Sequence, residues 1–296
     1  MKFRVIKICF IGLSLFVWFC SCEKQKLNRS TETSLDNNKA ENLFEDVFSE
    51  VDKVAESYTG KTSANVSISN LLNDNCAVID VVTTNGDFPK TITLDFGQEY
   101  CVGSDGKERK GKIIAQLSGP YRSSGSSITI NTDNYFVDFY KVDGTKLVEN
   151  ITTTSGNPRF AIEVSGIITT PESEEIVWNS SRIREWINGW DTRIFNYNDS
   201  LQKWVYLGIE GLYDDIWEVT GAADGINRNG IPFAAEITKP LRVQWCDNYR
   251  EITSGVIELQ PEELKLRVID FGEFQCDNLG TITIEGRRAS EFTLRK

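Results

Sequence analysis

The chain predicts a mainly β fold: an antiparallel meander forming a curved sheet or a sandwich, with one N-terminal amphipathic helix. Three observations carry this. Short stretches alternating apolar and polar residues recur from Thr62 onward, among them NVSISN, CAVIDVV, KTITLDF, KIIAQLS, SITINT, YFVDFYKV, RFAIEVSGIIT and GTITIEG. Asn85-Gly86, Asp105-Gly106, Asp143-Gly144 and Asn229-Gly230 lie between or beside them and supply the positive φ angles of tight hairpins. Strands this short and closely linked favour antiparallel hairpins over βαβ units. Only 42–60 keeps a clear helical spacing.

Residues 1–21 read as a lipoprotein signal peptide. Lys2, Arg4 and Lys7 precede an apolar run, Ile8 to Phe19, too short for a membrane span, which takes about 20 residues. Phe19-Cys20-Ser21-Cys22 follows. A small residue directly before a cysteine at the end of such a run resembles the lipobox of bacterial lipoproteins. That resemblance implies that Cys22 is lipidated and becomes the new N-terminus. Phe19 departs from the usual Leu, and the alternative is a plain signal peptide with two incidental cysteines. Residues 22–41 are nearly all polar and are expected to form a solvated tether.

In 42–60, Phe44, Val47, Phe48, Val51, Val54, Ala55 and Tyr58 make one apolar stripe, with Asn42 as candidate cap and Gly60 as stop. The opposite face carries Glu45, Asp46, Glu50, Asp52 and Glu56, which an anionic membrane would repel. The helix is therefore expected to pack on the sheet through its apolar face. Residues 61–296 form the β-rich domain, in two pseudo-equivalent modules, about 61–170 and 171–296.

The modules are marked by a repeated phrase. TITLDFGQEYC ends at Cys101 and LRVIDFGEFQC ends at Cys276. Each has an upstream cysteine, Cys76 or Cys246, and each is followed by a strand opening on glycine, from Gly111 or Gly280. The expectation is a strand, a Gly-enabled bend with the Asp accepting hydrogen bonds, a Phe in the core, and a disulfide back to the preceding strand. A kinase reading of Asp-Phe-Gly fails, because no Gly-rich phosphate loop, Val-Ala-Ile-Lys strand or His-Arg-Asp is present. The four cysteines Cys76, Cys101, Cys246 and Cys276 allow three pairings. Joining neighbours is the simplest, and four reduced, buried thiols are the other reading.

Pro89-Lys90-Thr91-Ile92-Thr93, Asp95-Phe96-Gly97, Cys101, Gly111-Lys112-Ile113, the stretch Trp178 to Trp186 and the turn Asn227 to Gly230 together resemble Bacteroidota envelope lipoproteins of uncharacterised function. The resemblance covers most of the chain beyond the signal and departs at Phe195–Leu212. It implies an exported protein lipid-anchored to the cell envelope, with the outer membrane as the expected site and either face possible. It implies no activity.

Chemistry is constrained by what is missing. There is no histidine, which removes Ser-His-Asp and Cys-His sites and the His-based zinc motifs. No phosphate-cradling glycine motif occurs, and no cofactor or metal is expected. A chain cut before Cys22 has a net charge of −14 rather than −11, because residues 1–21 hold three cations and no acid. Nucleic acid is therefore a poor partner. A carboxylate-based hydrolase stays conceivable through Asp191, Asp214, Asp215 or Asp224, although 43 acids make some pairing uninformative.

The binding candidates are aromatic. Read as a strand, EIVWNSSRIREWINGWD puts Trp178, Ser180, Arg182, Arg184 and Trp186 on one face; read as a helix, it makes a stripe of Ile183, Trp186, Ile187 and Trp190. The strand face could stack on sugar rings or hold a carboxylate, or it could be ordinary arginine–aromatic packing. Trp204, Tyr206, Tyr213 and Trp217 form a second aromatic segment. The expected function is a non-catalytic binding or scaffolding role, with the membrane reached through the lipid and a glycan or another envelope protein as further partner. A glycan-binding accessory to sugar uptake is the alternative, and the hydrolase comes third.

Overall fold

The computed structural model describes residues 24–55, 76–83, 87–192, 195–198, 200, 203–206, 209–247 and 249–294. Cys22 and the Asn85-Gly86 turn lie outside them, as do residues 56–75 with the expected Gly60 stop and NVSISN strand.

After a helical turn at 24–27 comes α1, Glu32–Ala55. The strands follow in chain order: β1 Val78–Thr83, β2 Lys90–Asp95, β3 Cys101–Val102, β4 Glu108–Leu117, β5 Ser127–Val137 and β6 Tyr140–Asn150. Next come β7 Arg159–Thr169, β8 Glu175–Asn188, β9 Phe195–Asn198, β10 Lys203–Tyr206 and β11 Ile216–Ile226. The last are β12 Pro232–Cys246, β13 Tyr249–Pro261, β14 Arg267–Glu273, β15 Leu279–Ile284 and β16 Ser290–Thr293. Fourteen strands make one antiparallel sheet in almost pure sequence order, β1-β2-β4-β5-β6-β7-β8-β11-β12-β13-β14-β15-β16, with β3 on β4. Among the described residues, β9 and β10 pair with each other as a separate two-stranded sheet, in the stretch of chain between β8 and β11. The mainly β meander is as the alternation predicts.

The two expected modules meet near residue 170, within the β7–β8 hairpin. Those strands pair without a break from Arg159↔Glu185 to Thr169↔Glu175, so the sheet is continuous there. It stays open, with β1 and β16 as its ends.

The sheet curves around α1 and buries most of the helix, leaving Leu35 exposed and Lys39, Asn42, Ser49 and Lys53 half-buried along one side. Its apolar stripe is buried as expected: Leu43, Phe44, Val47, Phe48, Val51 and Val54 face the sheet. Its acidic stripe is buried as well, Asp46, Glu50 and Asp52 included. The expectation of one packed face and one solvent face is thus corrected. α1 also begins at Glu32, ten residues before Asn42, within the stretch expected to be tether. Ser30 Oγ accepts the Glu32 amide at 3.1 Å. Asn42 sits inside the helix, where its side-chain amide donates to the Leu294 carbonyl, 3.1 Å.

The segment before α1 is anchored too. Arg267 Nη2 donates to the carbonyls of Leu27 and Ser30, at 3.0 and 3.3 Å, and the Lys265 amide donates to Asn28 Oδ1 at 2.8 Å. Asp36 and Asn37 are fully buried. Polar composition misled here because the sheet, rather than water, satisfies these groups.

The repeated phrase gives the same local structure twice. Asp95 Oδ1 accepts the Gly97 amide and Asp270 Oδ1 accepts the Gly272 amide, both at 2.9 Å. Gly97 and Gly272 adopt φ of 83° and 80°, and Phe96 and Phe271 are buried. Cys76 is bonded to Cys101 and Cys246 to Cys276, each with Cα atoms 5.6 Å apart. The neighbour pairing therefore holds. Each bridge closes a loop worth about 3–4 kcal/mol in the chain-entropy account.

One turn is displaced from its expected place. Asp143-Gly144 lies inside β6, paired with Gly166 and Ile167 of β7. The hairpin falls at Asp138-Phe139, with φ of 48° and 68°. This register turns Val137 and Val142 inward and places Gly144 beneath the helix, where the Phe44 ring needs the room.

Candidate functional site

β8 is a strand, and its alternation is complete: Ile176, Trp178, Ser180, Arg182, Arg184 and Trp186 all face inward and are buried. The row therefore meets α1 rather than solvent. Trp178 Nε1 donates to Asn37 Oδ1 at 2.9 Å, and its ring stacks on Phe44 with centroids 5.7 Å apart. Arg182 Nη2 reaches Glu41 at 2.8 Å, and Arg184 Nη2 reaches Glu45 at 2.6 Å. Trp186 Nε1 donates to Asp215 Oδ1 at 3.1 Å. The two-residue step from Arg182 to Arg184 on β8 matches one turn of α1, from Glu41 to Glu45.

Other strands add cations to the same interior. Arg109 of β4 is 1 % exposed and binds Asp46 at 2.8 Å and Asp105 at 2.7 Å, with Glu50 3.5 Å away. Lys107 Nζ also pairs with Asp46. Among the described residues, Asp46, Glu50 and Asp105 are the carboxylates that converge closely enough to suggest a metal, but the Arg109 guanidinium stands among them and neutralises them. Burial disfavours the ionised form of Asp46, yet Lys107 and Arg109 hold its carboxyl well below the usual range. Lys146 of β6 lies 3.3 Å from Glu45. Arg250 of β13 binds Asp52 and lies between the rings of Trp217 and Trp245, 4.5 and 5.5 Å from their centroids. Burial alone would raise Glu45, but Arg184, Lys146 and Arg250 bring it down to about 2. Arg228, in the turn after β11, holds Asp36 at 2.6 Å.

The second aromatic segment is divided. Trp217 is buried on β11, its ring 5.4 Å from that of Trp186. Trp204 lies on β10 opposite Tyr197, and its side chain is outside the described residues. Tyr213 is exposed beside Trp245. Trp178, Arg182, Arg184, Trp186 and Trp217 are thus brought together, but as the inner wall around the helix. They do not form a sugar platform on the surface.

The hydrolase candidates separate. Asp215 is fully buried, and burial pushes its carboxyl up to about 8 despite Arg250. Asp214 accepts the Thr192 hydroxyl at 2.8 Å, Asp224 accepts the Asn179 amide at 3.2 Å on the outer face, and Asp191 is exposed.

Two spaces remain. On the sheet's outer face, β6 to β13 enclose a shallow open trough of about 780 Å³, paved by Ala222 and Ala234 and edged by Glu163, Asp224, Glu236 and Glu258. Inside, between α1 and the strands β6–β8 and β11–β13, lies a cavity of about 70 Å³. Ser180, Arg182, Arg250 and Glu251 line it, and sequence reasoning missed both Arg250 and Glu251. They are adjacent on β13, and neither alternation nor a motif marks them as a pair.

No protein-family model, no curated protein and no solved structure matches this chain. Two disulfides are those of an exported, non-cytoplasmic protein. No helix among the described residues is long and apolar enough to cross a membrane.

Proposed function

We propose that this chain is a non-catalytic, lipid-anchored envelope protein with a binding or scaffolding role, of the kind the Bacteroidota envelope lipoproteins resemble. The observation that carries the reading is the use made of the reactive side chains. The arginines and tryptophans that could have formed an open site pair with α1. Asp215, the carboxyl with the most suitable acidity for proton transfer, is enclosed with Trp186. The Ser21-Cys22 signal and the disulfides support export and anchoring at the outer membrane, with Cys22 as the lipid-bearing residue.

The anchor is tested by growing expressing cells with labelled palmitate. The chain should take up label and sediment with membranes, and Cys22→Ala should lose both. An unlabelled wild-type chain, or a Cys22→Ala chain that keeps its label, would overturn it.

A further inference from the structure

The cavity between α1 and the sheet is built for an occupant. By the ~10–15 Å³ that one water needs, its 70 Å³ has room for about five small heavy atoms. Ser180 Oγ, Arg182 Nε and Nη1, Arg250 Nε and Nη1 and Glu251 Oε2 are buried with no hydrogen-bond partner. Their residues all line this one cavity. Arg182 is 3 % exposed and Glu251 3 %, so neither reaches solvent instead. Glu45 Oε1 and Arg250 Nη1 lie 3.5 Å apart, an ion pair without hydrogen-bond geometry. A core that leaves several polar atoms unsatisfied around one hole is destabilised unless something fills the hole and bonds them. Donors dominate: four N–H positions and a hydroxyl face two carboxylate oxygens. The remaining wall is apolar, with Ile162, Val164 and Leu241.

We propose that this cavity binds the carboxylate of a small aliphatic acid. Its oxygens accept from Arg182, Arg250 and Ser180, and its short alkyl tail lies against Ile162, Val164 and Leu241. Carboxylate is favoured over a larger oxyanion by the room available and by the apolar wall. Burial raises the Glu251 carboxyl above its ordinary value, while its Oε1 accepts the Asn278 amide at 2.7 Å. The occupant deepens the binding role proposed above. It does not depend on the anchor, so failed lipid labelling and a failed ligand titration are separate results.

The full chain, purified in mild detergent, is titrated with acetate, propionate, butyrate and octanoate at constant ionic strength against sodium chloride, reading thermal unfolding. The short acids should raise Tm saturably, by about 5–8 °C at a hundredfold excess over Kd, while octanoate and chloride should not. Ser180→Ala keeps the Arg182–Glu41 pair and should weaken binding about five- to tenfold. Val164→Phe fills the tail side and should abolish the response while the unliganded protein stays folded. No saturable shift with any short acid, an equal shift with chloride, or an unchanged response in Val164→Phe would overturn the assignment and leave the space to water.

Discussion

The Phe44 ring rests on the backbone of Gly166, in a notch that Gly166 shares with Gly144, its cross-strand partner. An added Cβ at Gly166 would strike the ring and lie 2.7 Å from the Asp143 carbonyl oxygen. Gly166→Ala should therefore destabilise the protein by about 1–3 kcal/mol through overpacking. The double variant Gly166→Ala/Phe44→Leu should recover part of the loss. Chemical denaturation of the four proteins of this cycle checks it; strict additivity would mean that the notch is not where the strain lies.

Arg109 joins α1 to β4 through three carboxylates. Arg109→Met leaves the buried carboxylates Asp46 and Glu50 close together, with Asp105 at the exposed rim, and should cost about 3–5 kcal/mol. Adding Asp46→Asn should return a measurable part of that. A loss below about 1 kcal/mol, the value of a surface pair, would show that water reaches the cluster.

Asp215 makes stability depend on pH. Its folded-state pKa of about 8 lies above the ordinary value of 3.8, so the native state holds a proton that the unfolded chain releases. Stability from this group is complete below about pH 4 and is lost as pH rises to about 8. Asp215→Asn keeps an acceptor for Trp186 and removes the titration. The stability gap between variant and wild type should widen by roughly 4 kcal/mol from pH 5 to pH 9. Denaturation curves at the two pH values decide it, and a constant gap would place the Asp215 carboxyl in contact with water. Glu45 acts oppositely: its lowered pKa of about 2 stabilises above its ordinary 4.5 and is lost as pH falls through 2.

The two Asp-Phe-Gly bends should respond alike. Gly97 and Gly272 share a positive φ and have nothing within 4 Å of an added Cβ, so Gly→Ala at either costs backbone strain alone, about 1–2 kcal/mol. Unequal losses would mean that one bend relaxes and that the two are equivalent only in sequence.

These bends were legible because each is a local device: the Asp, the Gly and the bond between them lie within three residues. The row on β8 was legible only in part: a period of two put Trp178, Arg182, Arg184 and Trp186 on one face, but a helical stripe of Ile183, Trp186, Ile187 and Trp190 fitted the same stretch. What Trp178, Arg182 and Arg184 face was not legible. Their partners lie some 140 residues away, Asn37 and Glu41 in the stretch expected to be tether and Glu45 on the polar face of the expected helix. The acidic stripe of α1 was misread on similar grounds. Arg109, Lys146, Arg184 and Arg250 come from β4, β6, β8 and β13, and no window of sequence holds them together. Asp143-Gly144 looked like a turn because its dipeptide is one; a ring from a distant helix claimed the glycine instead.

Enclosure of α1 also sets where the molecule can be cut. A polypeptide started at Cys76 would keep every strand of the sheet described above, yet it would leave Arg182, Arg184 and Arg250 without their α1 acids and Arg109 with Asp105 alone. The β portion is therefore no autonomous unit, and an expression boundary drawn after Ala55 should give insoluble material unless the missing helix is supplied in trans as a peptide.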